Sequence, residues 1–247
     1  MNILLYVALF LIGVIVGNFW QRAIYRIPRN ISLIKKGVTN IEPEYKSKYW
    51  KKILQIFYAL LGGILFVIFG KLLGININGF KLSSAIMYLF TILYFTTLVI
   101  IAGIDKRYVD IEKKVITVGI IISIIYIVFL YIIDSSSIYF NTMCLGIYMI
   151  LLITDTIFLR RYAKSSYTIG VLMLFNIILV FSEFDILAYT IAMTALEIIL
   201  YLVIQKIKQK ENGYKKVKIN NIPVGYFVSA SNIIILLVLA IIQIIRI

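Results

Sequence analysis

A chain of 247 residues that is 62% hydrophobic and only 15% charged is built for a membrane, because a soluble protein of this size has no core large enough to hide so much apolar surface. Its mean hydropathy of +1.00 agrees. One cysteine and no histidine exclude an internal disulfide, a Cys/His zinc site and catalysis by a histidine base.

A helix needs about 20 apolar residues to cross the hydrocarbon core. The sequence predicts eight such helices, over residues 3–20, 53–73, 84–104, 115–133, 138–159, 167–182, 186–205 and 222–245. The expected fold is therefore all-α, a polytopic membrane domain covering residues 1–247. The first apolar run starts at once, with no basic residue before it and Arg22, Arg26 and Arg29 after it, as in a retained anchor and unlike a cleaved signal. Residues 21–52 form the only sizeable polar piece, too small to bury a core alone.

The positive charge alternates along the chain. Residues 21–52 hold nine Lys and Arg, 105–114 four, 160–166 three and 205–221 six, while the other side has only Lys71, Lys81 and Arg246. Basic residues in short loops stay cytoplasmic, so four inner loops and two outer termini are expected. The net charge of +14 is then explained by topology and by attraction to anionic lipid headgroups. Membrane lipid is an expected partner and nucleic acid is not, since no soluble domain carries the charge.

Carboxylates in or beside membrane spans are costly and commonly functional. Asp105 closes the third span in Gly103-Ile104-Asp105-Lys106-Arg107, where it is either a catalytic or ion-binding acid or an interfacial charge paired with Lys106 or Arg107. Asp110 and Glu112 read as solvated partners of Lys113 and Lys114. Asp155 lies about one turn before Arg160 and Arg161 and either snorkels to them or has a role of its own. Glu183 and Asp185 close the tight turn between spans six and seven. Glu197 sits deeper, and must be neutral, paired or facing a wet cavity. Of the three prolines, Pro28 follows the first span, Pro43 lies in the basic loop and Pro223 opens the last span, a favoured place for proline at the start of a helix.

Together these stretches resemble the type IV prepilin peptidases, bacterial membrane aspartic peptidases that process pilins and secretion pseudopilins. Gly13-Val14-Ile15-Val16-Gly17-Asn18-Phe19, continuing to Ala23-Ile24-Tyr25-Arg26-Ile27-Pro28-Arg29, is similar to the family's N-terminal signature, with Asn18 at the usual serine. Ile104-Asp105, with Ile111 six residues later, resembles the stretch holding the first catalytic aspartate, with Glu112 at the usual proline. Asn221-Ile222-Pro223-Val224-Gly225-Tyr226-Phe227 resembles the closing Ile-Pro-hydrophobic-Gly motif. The matches run in order along nearly the whole chain.

The resemblance implies eight spans in a bacterial cytoplasmic membrane and an aspartic endopeptidase that cuts the leader of a pilin-like precursor at the cytoplasmic face. It implies Asp105 as the retained first acid. The second acid belongs in a Gly-x-Gly-Asp motif, but the chain reads Lys164-Ser165-Ser166-Tyr167 there, so Tyr167 occupies the catalytic position. The tetracysteine cluster of many members is also missing. Aspartic peptidases need two carboxylates sharing one water, one ionised and one protonated. A phenol, with a free pKa of about 10, donates a hydrogen bond at neutral pH and does not act as the base. Two versions stay open: a peptidase in which Asp155 substitutes for the lost acid, and an inactive homologue that binds pilin-like helices. A third class, a small proton-coupled carrier using Asp155 and Glu197, predicts function that survives Asp105→Asn and fails with Glu197→Gln. No residue pattern points to a cofactor; S-adenosylmethionine, for the methylation carried out by many members, is implied by the resemblance alone.

Overall fold

The computed structural model describes residues 2–31, 33, 48–75, 81–133, 146, 150, 153, 157, 166–182, 184–212 and 222–246. Among these, seven helices are present and no strand: α1 (Asn2–Arg26), α2 (Lys48–Leu72), α3 (Leu82–Tyr108), α4 (Lys113–Ile133), α5 (Ser166–Phe181), α6 (Phe184–Asn212) and α7 (Val224–Arg246). Six are long and apolar enough to cross a membrane, and α5 contributes a shorter apolar helix over Tyr167–Phe181. The chain is thus a helical multi-pass membrane protein. Of the expected fifth span, 138–159, only residues 146, 150, 153 and 157 are described, so six helices of spanning length and one shorter one stand among the described residues where eight spans are expected.

The helices overrun the apolar stretches that announce them. α1 continues through Arg22 to Arg26, α3 through Lys106 and Arg107, and α6 to Asn212. Hydrophobicity marks the thickness of hydrocarbon rather than the end of the helix, and long basic side chains reach the interface from helical positions.

The helices form two compact units, residues 1–96 with 237–247 and residues 97–236. In the first, α1 and α2 run antiparallel and touch backbone to backbone. A methyl group on Gly13 would strike the Gly62 carbonyl, and one on Gly17 would strike that of Tyr58. The small residues four apart on α1 permit this approach, as expected where helices associate by close packing in lipid rather than by the hydrophobic effect. The aromatic groups beside the contact are tied down. Fully buried Trp20 donates from Nε1 to Thr96 Oγ1 at 3.0 Å. The Tyr88 hydroxyl donates to the Phe66 carbonyl at 2.9 Å, and Phe69 packs on Phe95 with centroids 4.5 Å apart. Past α1, Arg26 Nη1 holds the Leu33 carbonyl at 3.0 Å and Arg29 lies over the Tyr25 ring.

In the second unit, α4 packs on α5. Gly119 lets this happen, since a Cβ there would lie 2.7 Å from Ile177 Cδ1. Tyr126 stacks on Phe181 at 4.5 Å further along the same pair.

Gly17→Val places two methyl groups against α2 backbone that has no way to yield. It should lower stability by about 2–3 kcal/mol, read as an earlier thermal unfolding midpoint in detergent, whereas Ile15→Val on the exposed side of α1 should leave the midpoint unchanged.

Candidate functional site

The site is set by the start of α7. The first amides of any helix have no partner within it, and the N-cap position here is Pro223, which has no side-chain oxygen to accept them. Acceptors must therefore come from elsewhere, and they come from α3 and α5. The Tyr226 N–H donates to Asp105 Oδ2 at 2.8 Å. The Val224 N–H donates to the Tyr167 hydroxyl at 2.7 Å and also to the Ile222 carbonyl at 2.9 Å, and the Gly225 N–H approaches the same phenol at 3.4 Å. The phenol has one proton to give. Asp105 Oδ2, at 3.0 Å, is the closer and more strongly accepting partner, and the Ile222 carbonyl stands at 3.3 Å.

Asp105 and Tyr167 thus act together as a cap supplied across the fold. The carboxylate also sits where the positive end of the helix dipole favours negative charge. The Asp105 side chain is fully buried, and its second oxygen, Oδ1, has no hydrogen-bond partner. Lys106 turns away, its Nζ 4.7 Å above the Tyr226 ring centre and 3.4 Å from the Tyr226 hydroxyl. The partners of Asp105 are a phenol and a backbone amide, which corrects the reading of it as an interfacial charge paired with Lys106 or Arg107.

Close approach needs two glycines and one wedge. A Cβ at Gly225 would lie 3.1 Å from Asp105 Oδ2 and 2.9 Å from Ile111 Cδ1, and a Cβ at Gly170 would lie 3.0 Å from Ile111 Cβ. Ile111 is buried between them. It reaches that place after Val109, which adopts a left-handed φ of 50°, unfavourable for a β-branched residue. The Val109 N–H closes the end of α3 on the Asp105 carbonyl at 2.8 Å.

Of the residues singled out from sequence, Asp105 and Tyr167 are brought together. Asp155 lies outside the described residues, as does Glu183. Glu197 is on α6, where Ser231 of α7 is the side chain that meets its carboxyl. Glu112 uses its carbonyl to accept from the Val115 and Ile116 amides at the start of α4. Sequence reasoning missed the Val224, Gly225 and Tyr226 amides as site components, although a proline ahead of a helix with no Ser, Thr, Asp or Asn at the cap position is the signal for an outside acceptor. Among the described residues no three His, Cys, Asp or Glu cluster to hold a metal ion. No protein-family model matches this chain, and neither the characterised proteins nor the solved structures compared with it give a match.

Gly225→Ala should loosen the cap by about 1–2 kcal/mol, because Asp105 Oδ2 and Ile111 must both give way. Ile111→Val removes the Cδ1 atom that the new methyl meets, so the paired variant should recover part of the loss. Thermal unfolding of the four proteins in one detergent measures both effects.

Proposed function

We propose that this protein is a multi-pass membrane protein of the prepilin-peptidase type that binds pilin-like precursor helices at the cytoplasmic face of a bacterial membrane and does not cut them. The observation that carries this reading is the pairing of Asp105 with a phenol instead of a second carboxylate, 3.0 Å away. Two stretches that carry the resemblance, around Asp105 and Ile222–Tyr226, meet at this point with Tyr167, the residue at the place of the family's second acid, which supports a peptidase-type ancestry for the site.

Peptide hydrolysis by an aspartic pair needs one carboxylate to take a proton from water while its partner polarises the scissile carbonyl. Tyr167 supplies the donor and not the base, and its proton goes to Asp105. Asp105 Oδ2 already accepts from Tyr167 and Tyr226, and the side chain is fully buried. A carboxylate so engaged, without an acidic partner, holds α7 in place. Losing one member of a catalytic unit commonly lowers the rate by several orders of magnitude. Precursor binding then falls to the helical surfaces, and the basic inner loops favour a site close to anionic headgroups.

The test is co-expression with the host's own pilin-like precursors. The precursor should keep its full length on a gel beside wild-type protein, and should crosslink to the wild type and to Asp105→Asn alike. Shortening of the precursor by the wild type that disappears in Asp105→Asn would overturn the non-cleaving role and make the protein a peptidase with a second acid elsewhere, Asp155 first.

A further inference from the structure

α6 and α7 run antiparallel and are pinned together at two points. Tyr201 of α6 lies edge-on to Phe227 of α7 with ring centroids 5.4 Å apart, and Asn232 Nδ2 of α7 donates to Thr190 Oγ1 of α6 at 3.1 Å. Glu197 lies between these contacts on the same face of α6, seven residues after Thr190 and four before Tyr201, spacings that recur on one side of a helix. The two pins therefore carry its side chain onto α7 between Phe227 and Asn232. There its carboxyl meets the fully buried Ser231 in a hydrogen bond.

Depth decides what else Glu197 needs. It stands ten residues from Ile207 and thirteen from Phe184, the ends of its apolar stretch, so it is near mid-span, roughly 15 Å from one end by helix rise. A carboxyl at that depth takes either a positive partner or a proton. Among the described residues the neighbouring helices offer no positive partner. α5 has no basic residue, α7 has none before Arg246, and the first on α6 is Lys206, nine residues on, about 13 Å by helix rise. The other titratable side chains of these helices are engaged or placed elsewhere. Tyr167 is bound at the Asp105 junction, Tyr226 lies beneath Lys106, Tyr201 packs on Phe227, Tyr189 is exposed, and Asp185 and Glu211 sit in the end turns of α6. What is left to neutralise Glu197 is a proton.

Asp105 and Glu197 have opposite kinds of partner. Asp105 accepts from a backbone amide and from a phenol, two donors that suit a carboxylate. A serine hydroxyl both donates and accepts, so Ser231 can donate to a carboxylate and accept from a carboxylic acid. Such a partner suits a group that gains and loses a proton. Glu197 is also only part-buried, which leaves its proton free to exchange.

We propose that Glu197 is a reversible proton-binding site near the middle of the membrane, with Ser231 as its partner in both states. When the proton is taken up, the neutral acid donates to Ser231 Oγ. When it is released, Ser231 donates to the carboxylate that remains. The contact between α6 and α7 is thereby coupled to proton binding.

The experiment treats the full chain in detergent with dicyclohexylcarbodiimide, a lipid-soluble reagent that modifies carboxyls in their protonated form. The acid's proton passes to one carbodiimide nitrogen, the carboxyl oxygen adds to the central carbon, and the adduct rearranges to a stable N-acylurea. Peptide mass spectrometry should find the label on Glu197 at neutral pH, and the labelling rate should fall about tenfold per pH unit above the midpoint of its titration. Glu197→Gln should lose that label. Ser231→Ala removes a donor that binds the charged form more strongly than the neutral one, so the fall should move to higher pH. No label on Glu197 at any pH would overturn the site. A labelling rate that does not change with pH would overturn it too, since the acid would then be locked in one form. An unchanged pH profile in Ser231→Ala would overturn the pairing on which the proposal rests. Should Glu197→Gln fail to fold, the labelled peptide of the wild type and the Ser231→Ala profile still decide.

Discussion

The start of α7 imposes the constraint on which the candidate site depends. Three backbone amides emerge there behind a proline that offers no cap, in a part of the fold where Asp105 is shut off from solvent. Leaving such amides unpaired costs about 1–3 kcal/mol each, so the acceptors have to be brought in by other helices. Asp105 arrives from the last turn of α3 and Tyr167 from the first turn of α5. Their arrival dictates the rest: glycine at 225 because Asp105 approaches so closely, glycine at 170 because Ile111 fills the space behind it, and a left-handed Val109 that lets Ile111 turn back into that space.

The chemistry of the junction follows from this role. A carboxylate that caps a helix benefits from the dipole and from charge-assisted hydrogen bonds, and both favour holding it still. Tyr167 strengthens that arrangement by acting in both directions, accepting from the Val224 amide and donating to Asp105. An aspartate at position 167 would place a second negative charge beside Asp105, and the two would have to share a proton. The phenol, which stays protonated at neutral pH, avoids that conflict. A phenol at this position therefore steadies the joint between three helices.

How much of this was legible beforehand varied with the kind of interaction. Apolar run length located α1 to α7 to within a few residues at their lipid-embedded ends, and failed at charged ends such as Arg26 and Arg107 because helices continue into the interface. The pairing of positions 105 and 167, 62 residues apart, was legible only through motif spacing, since nothing in local periodicity links them. The backbone amides of α7 escaped notice because motifs are written in side chains. Asp105 itself was open to an ion-pair reading from its neighbours Lys106 and Arg107, and only its burial and its bonds to Tyr167 and Tyr226 decide otherwise.

The central claim is that Asp105 and Tyr167 work as one unit. A double-mutant cycle with Asp105→Asn, Tyr167→Phe and the pair, followed by reversible unfolding in a single detergent, tests it most directly. A direct, buried, charge-assisted hydrogen bond predicts a coupling energy of about 1–3 kcal/mol, so that the second substitution costs much less once the first is made. Strict additivity of the two substitutions would mean that the two groups do not act on one another, and would contradict the account.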